Sequence, residues 1–118
     1  MAASKNPAVR LAHIRDELAW VLPRFGDITY EQFVADIVHV RAIERSLSII
    51  SEAVKALPDD MLAPYPHIPW HAVRGIGNLL RHEYEVVDHR AIWQTLTVSL
   101  PRLSPVITEL LEKHGPAS

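Results

Sequence analysis

The sequence predicts an all-α protein, an up-and-down bundle of four or five helices. Apolar residues recur at helical spacing through most of the 118 residues, and neither strand-like alternation nor a sequence repeat interrupts them. A proline-rich segment, PDDMLAPYPHIP, divides the longest of these rows from the next one. At this length we expect a single domain spanning residues 1–118.

Composition narrows the classes of function. Apolar residues make up 48% and charged residues 22%, which is typical of a soluble globular chain. The formal net charge of −2 does not indicate nucleic-acid binding through bulk charge. The absence of cysteine excludes disulfides, thiol catalysis and thiolate metal sites. The N-terminus has no secretory apolar region, and no apolar run approaches the length of a membrane span, so we expect a cytoplasmic protein without membrane contact.

The longest predicted helix begins at a capping pattern. Thr29 followed three residues later by Gln32 is typical of a capping box. Apolar spacing then continues without a break to Leu57, which predicts one helix roughly 43 Å long. A second apolar stripe widens its face, so we expect a second subunit to cover one side; this stripe comprises Val34, Val38, Ala42, Ile49 and Ala53.

The other helices follow from end signals. The first begins near Pro7 and ends between Pro23 and Gly26. Asp88 is predicted to cap a later helix, and Pro101 to kink or break it, because proline removes a backbone hydrogen bond. The last apolar stripe closes with helix-end residues at Lys113, His114 and Gly115.

The stretch from Ile68 to Asp88 combines a core face with a polar line. Val73, Ile76, Leu80 and Tyr84 have the spacing of a core stripe, and Trp70 is interpreted as a packing anchor. A second stripe carries polar groups four residues apart; its members are Arg74, Asn78 and His82.

Several segments in this order resemble the HepT-like proteins of the HEPN superfamily, between Leu11 and about Leu111. They are Ala42-Ile43-Glu44-Arg45, Ile49-Ile50-Ser51-Glu52-Ala53, Ile68-Pro69-Trp70, Gly75-Ile76-Gly77-Asn78, Leu80-Arg81-His82-Glu83-Tyr84, and Ile92-Trp93 with Leu100-Pro101. The resemblance implies the toxin of a toxin–antitoxin system: a metal-independent endoribonuclease that forms a homodimer and cleaves RNA. It also implies neutralisation by an MntA-type nucleotidyltransferase antitoxin, which can transfer AMP to the tyrosine after the motif histidine, here Tyr84.

The chain departs from the family motif at one position. The motif reads Arg-Asn, three residues, His, any residue, Tyr, whereas this sequence has Gly77 in place of the arginine. Either the phosphate-binding role has moved to Arg74 or Arg81, or catalysis is weak or absent.

The chemistry of the remaining residues is consistent with RNA cleavage. A histidine titrates near neutrality and is suited to deprotonate a 2′-hydroxyl, which makes His82 the candidate base. An arginine matches phosphate oxygens with its planar fork. Asn78, one turn before His82, is placed to orient the imidazole or to bind phosphate.

Other interpretations stay open. The chain can instead be a catalytically inert helical module that binds a nucleotidyltransferase partner or only dimerises. Arg74 and Arg81 can be surface arginines, and Tyr84 can be the edge of the core. Arg45 and Glu52 are solvated charges or a buried polar contact to the His82 region. We expect neither a cofactor nor a metal, since the scattered histidines, His67, His71 and His89, form only a weak metal pattern.

Overall fold

The computed structural model describes residues 6–82 and 88–115, except the side chains of residues 78, 79, 81 and 82. Within these residues the chain contains helices and no strand, and no helix is long and apolar enough to cross a membrane. The elements are α1 (Pro7–Phe25), α2 (Tyr30–Ala35), α3 (Ile37–Lys55), α4 (Asp59–Leu62), α5 (Trp70–His82), α6 (His89–Gln94), a π-helical turn (Thr95–Ser99) and α7 (Leu100–His114).

The long helices pack in the spatial order α7, α1, α3, α5. Helices α1 and α3 are antiparallel: Glu17 accepts a hydrogen bond from Ser46, whereas Phe25, later in α1, packs against His39, earlier in α3. The predicted all-α up-and-down bundle is therefore confirmed. Its largest fully buried side chains come mostly from α1, α3, the π turn and α7: Phe33, Leu11, Ile14, Ile43, Leu47, Ile50, Leu96, Leu100, Leu103, Ile107, Leu110 and Val21.

Local signals account for several helix starts. The Asn6 side chain accepts a hydrogen bond from the N–H of Ala8, which caps α1 ahead of Pro7. The capping box predicted at Thr29 and Gln32 is present, with both of its hydrogen bonds at 3.0 Å. The Asp88 carboxylate caps α6 through the N–H of Ala91 at 3.0 Å.

Asp36 divides the helix that was predicted to run unbroken from Thr29 to Leu57. Its backbone is extended, with φ −131° and ψ 114°, and its carboxylate accepts a hydrogen bond from the N–H of Val38 at 2.9 Å. This is N-cap geometry, so α2 ends at Ala35 and a new helix begins. The prediction of one helix roughly 43 Å long was wrong, because apolar spacing repeats on both sides of the cap and does not reveal it.

The end of α2 and the start of α3 together carry an exposed apolar surface. Val34 is 42% exposed, Ile37 60% and Val38 68%. The predicted second stripe of the long helix is thus exposed at one end, whereas Ala53 at its other end is buried. Coverage by a second subunit stays a prediction.

The break predicted as one alternative at Pro101 is absent, and a π-helical turn precedes the proline instead. The N–H of Leu100 reaches the carbonyl of Thr95, five residues earlier. Proline has no N–H for the carbonyl of Thr97, and one wide turn accommodates the missing bond. Because the chain stays helical on both sides, α6, the π turn and α7 form one rod from residue 89 to 114.

Between α3 and α5 the chain crosses the end of the bundle. Within the proline-rich segment only α4 is helical, and it is a single turn. Trp70 donates its indole N–H to the carbonyl of Tyr65 at 3.0 Å and packs against the core. This contact closes the loop directly before α5 and confirms Trp70 as a packing anchor.

Candidate functional site

Helix α5 has a buried face directed at α3. Val73, Ile76 and Gly77 are buried, and Leu80 packs partly buried against the core. These positions confirm the core stripe predicted from spacing, except Tyr84, which lies outside the described residues.

The opposite face of α5 is open. His71 is exposed, and beyond the local helix backbone a Cβ added to Gly75 would meet no atom of the described side chains within 4 Å. Asn78 and His82 follow His71 by seven and eleven residues, close to two and three turns at about 3.6 residues per turn. Their backbone positions therefore share the face of His71 and Gly75, while their side chains lie outside the described part of the structure.

The two glycines of Gly75-Ile76-Gly77 have contrasting surroundings. Gly75 borders open space, whereas Gly77 is buried and its N–H lies 3.1 Å from the hydroxyl oxygen of Ser51 in α3. Position 77, which carries arginine in the family motif, thus belongs to the contact between α3 and α5 in this chain.

The guanidinium of Arg74 is bound to the end of α3. Its Nη2 donates to the carbonyl of Leu57 at 2.7 Å, and its Nε donates to the carbonyl of Val54 at 3.4 Å. Its Nη1 donates to the carboxylate of Asp59 at 2.7 Å. The Val54 carbonyl also accepts from the N–H of Leu57 at 3.1 Å, so Arg74 reinforces the end of α3 and supplies a donor to the carbonyl of Leu57 just beyond it.

This placement separates the two candidate phosphate-binding arginines. Arg74 shares a sequence stripe with Asn78 and His82, but the three donor groups named above point at the end of α3 and at Asp59. Arg81 lies in the last turn of α5, and its side chain is outside the described part of the structure.

Ser51 is a buried residue of this region to which sequence reasoning assigned no role. Its hydroxyl donates to the carbonyl of Arg74 at 3.0 Å and accepts the hydrogen bond from Gly77, and the residue is 0% exposed. One signal was available. Ser51 follows the core residue Leu47 by four positions, so it interrupts an apolar face with a hydroxyl that needs a partner.

Arg45 and Glu52 lie at the surface of α3. Both are exposed, and the Glu52 carboxylate lies 3.5 Å from the ammonium of Lys55 one turn later. A contact from these residues to the His82 region stays a prediction, because the His82 side chain lies outside the described part of the structure.

The histidines of the weak metal pattern are dispersed. His67 packs edge-on against Tyr65, His89 packs against Phe33, and His71 is exposed on α5. Among residues 6–82 and 88–115, no three potential ligand side chains come together as a metal site would require.

Several similar proteins are named as ribonucleases and match most of this chain. A protein of Caldanaerobacter subterraneus subsp. tengcongensis, named "Putative RNase", is 39% identical over 93% of this chain and 98% of its own length. A "Putative RNase" of Methanocaldococcus jannaschii is 35% identical over 74% and 78% of the two chains. A "Probable ribonuclease HepT" of Thermococcus cleftensis is 36% identical over 65% and 70%.

No solved structure gave a significant match. The family described as "Ribonuclease HepT-like" matches residues 14–110, which includes α3, the whole of α5 and the glycine pair. The expected resemblance is confirmed: the chain belongs to the HepT-like ribonuclease family.

Proposed function

We propose that this protein is a metal-independent endoribonuclease that cleaves RNA with His82 as the general base. The supporting observation is the open face of α5, on which the backbone positions of Asn78 and His82 follow His71 and Gly75. Membership of a ribonuclease family makes RNA the substrate to test first.

The reaction is a transfer of the phosphodiester to the neighbouring hydroxyl. His82 takes the proton of a ribose 2′-hydroxyl, and the 2′-oxygen attacks the adjacent phosphorus. The bond from phosphorus to the 5′-oxygen breaks, and that oxygen leaves with a proton from solvent. The products are a 2′,3′-cyclic phosphate and a 5′-hydroxyl. Asn78 binds phosphate or orients the imidazole one turn away.

We assign the phosphate charge to Arg81 rather than to Arg74. For Arg74 to bind phosphate, it would have to leave the carbonyl of Leu57 and the carboxylate of Asp59, and an unsatisfied buried carbonyl costs about 1–3 kcal/mol. Arg81 precedes His82 directly and lies one turn beyond Gly77, the position of the motif arginine. A guanidinium from the next turn can therefore replace the missing one.

The cellular role we propose is that of the toxin in a toxin–antitoxin pair. The antitoxin is an MntA-type nucleotidyltransferase, and AMP transfer to Tyr84 silences the ribonuclease. An AMP group two residues from His82 would add bulk and negative charge beside the phosphate site, and it would repel RNA.

A second candidate function is supported by Gly77. Without an arginine at this position, the chain can act as an inert helical module that binds the nucleotidyltransferase or dimerises through the apolar surface at Val34, Ile37 and Val38. Nuclease activity separates the two functions, because only the first requires His82.

The decisive test is cleavage of single-stranded RNA by purified protein in the presence of EDTA. We expect a 2′,3′-cyclic phosphate product, no cleavage by His82→Ala, and no cleavage where a single 2′-deoxyribose replaces the ribose at the cut. His13→Ala is a matched control, because His13 is exposed on α1. Wild-type activity in the His82→Ala protein, or a strict need for magnesium, contradicts the proposed mechanism.

Gly75 provides a second test that leaves the fold intact. A glutamine side chain at position 75 would extend into the open space beside Asn78 and His82. We expect Gly75→Gln to lower the RNA cleavage rate about tenfold or more, by analogy with the cost of a small misplacement of substrate. Gly75→Ala adds only a methyl group and should lose much less.

The AMP-transfer proposal has its own readout. After incubation with the nucleotidyltransferase and ATP, the intact mass should rise by one AMP group, and Tyr84→Phe should prevent the increase. Tyr65→Phe is the control, because the Tyr65 ring is buried beside Lys113. Equal modification of the Tyr84→Phe protein assigns the AMP to another residue.

A further inference from the structure

We propose that Ser51 is a positioning residue, which together with Arg74 fixes the rotation of α5 about its axis and so the direction of the open face. This inference rests on the proposed ribonuclease function. It concerns a residue of α3 that does not touch the open face, and it explains how α3 affects chemistry on α5.

The Ser51 hydroxyl makes two hydrogen bonds to the backbone of α5. Ser51 donates to the carbonyl of Arg74 at 3.0 Å and accepts from the N–H of Gly77 at 3.1 Å. Both backbone groups belong to the same turn of α5, and Asn78 is the next residue. A buried side chain of α3 is therefore hydrogen-bonded to the backbone of α5 immediately before the candidate site.

The two hydrogen bonds of Ser51 depend on direction, unlike the apolar contacts around them. Apolar contacts between Val73, Ile76 and α3 are non-directional, so they tolerate small rotations of the helix. Hydrogen bonds weaken steeply as their angle departs from linearity, so two bonds to one turn restrict rotation. The Arg74 guanidinium, bound to Leu57 and Asp59, adds a further restraint to the same turn.

Stability alone gives little reason for a serine at position 51. Ser51 is 0% exposed, and the backbone groups that it contacts lie in the interior of a regular helix, where each has an intrahelical partner. Removal of the hydroxyl therefore leaves no backbone group without a partner, and the effect on the unfolding midpoint should be small.

The geometric consequence is large enough to affect catalysis. With side chains, a helix has a radius of about 5–6 Å, so a rotation of about 10° moves a side-chain tip by about 1 Å. A misplacement of that size can cost about 100-fold in rate. A loosened α5 should therefore lower kcat, while substrate binding along the exposed face changes less.

The experiment compares two serines of one helix. Ser51→Ala removes the hydroxyl that faces α5, whereas Ser46→Ala removes an equally buried hydroxyl that faces Glu17 of α1. We expect Ser51→Ala to lower kcat about tenfold or more, with KM within about twofold and an unchanged pH profile. Ser51→Cys, which keeps a weak donor, should fall between wild type and Ser51→Ala, and Ser46→Ala should keep the wild-type kcat.

A measurement that does not depend on activity accompanies the kinetics. Amide hydrogen exchange at residues 73–77 should be faster in Ser51→Ala than in wild type and unchanged in Ser46→Ala. Unchanged exchange in Ser51→Ala overturns the positioning role whether or not the protein is active.

The kinetic outcomes separate this inference from the proposed function. An active wild type with an unaltered kcat in Ser51→Ala overturns the inference alone. Equal loss in both serine variants, with a lowered unfolding midpoint, also overturns it, because that pattern reports general packing. An inactive wild type overturns the ribonuclease proposal itself.

Discussion

Arg74 and Asp59 join α5 to the chain just after α3, with 2.7 Å between the guanidinium Nη1 and the carboxylate oxygen. The same guanidinium donates to the carbonyl of Leu57 at 2.7 Å. An arginine of α5, the helix that carries the candidate site, therefore binds the chain at the end of α3. The Asp59 side chain is 89% exposed and the Arg74 side chain only 27%. The bond from Arg74 to the carbonyl of Leu57 should therefore contribute more to stability than the ion pair with Asp59 does.

The first prediction follows from that difference. Arg74→Ala should lower the free energy of unfolding by about 1–2 kcal/mol, because the carbonyl of Leu57 loses the guanidinium donor, whereas the carbonyl of Val54 keeps the N–H of Leu57. Asp59→Asn should lower it by less than about 0.5 kcal/mol, because an exposed ion pair contributes little. Urea denaturation measures both values. A larger loss in Asp59→Asn than in Arg74→Ala would show that the ion pair, and not the carbonyl contacts, dominates.

The second prediction concerns the glycine pair of α5. Gly75→Ala should raise the free energy of unfolding by about 0.5–1 kcal/mol, because alanine is the better helix former and the new Cβ meets open space. Gly77→Ala should lower it by about 1 kcal/mol or more, because Gly77 is buried in the contact between α3 and α5, and added volume in a packed contact is destabilising. Chemical denaturation at one pH gives both values. Stabilisation by both substitutions would refute the close contact at Gly77.

The third prediction tests the break between α2 and α3. Asp36→Ala removes the cap from the N–H of Val38 and should lower the free energy of unfolding by about 1 kcal/mol. Asp27→Ala, in the turn after α1, is the comparison and should stay within about 0.5 kcal/mol of wild type. Equal stabilities of the two variants would mean that the Asp36 cap contributes nothing.

The fourth prediction is an alkaline loss of stability at Tyr65 and Lys113. A hydrogen bond to the Glu109 carboxylate raises the pKa of Tyr65, and the hydrogen bond to Tyr65 raises the pKa of Lys113. Both protonated forms are therefore favoured in the folded state. Their contribution is complete below the unfolded pKa values of 10.0 and 10.5 and declines as pH rises through the higher folded values.

Urea denaturation between about pH 8 and 11 tests this prediction. Stability should decline at the alkaline end in the wild type and decline less in Tyr65→Phe, which lacks the titrating hydroxyl. Glu112→Gln is the control, since Glu112 is exposed near the same end of α7. An identical alkaline decline in wild type and Tyr65→Phe would assign the effect to other groups.

The sequence alone predicted the all-α fold class, most of the helix ends that carry local signals, and the core stripe of α5. It also identified the family, because Asn78, His82 and Tyr84 keep their motif spacing around the altered position 77. It missed the cap at Asp36, although aspartate followed by an apolar row is itself a start signal. The continuous apolar spacing outweighed that signal and produced one long helix where the chain forms two.

The properties that the sequence alone determined are those set within about one helical turn, such as the Thr29–Gln32 capping box and the cap at Asp88. Tertiary structure alone decided that Arg74 binds the end of α3 and that Ser51 is hydrogen-bonded to α5. It also decided that Gly75 lies beside open space, whereas Gly77 is buried. The physical reason is separation along the chain. Ser51 and Gly77 lie 26 residues apart, and Arg74 and Asp59 lie 15 apart, so these contacts exist only after the helices have packed together.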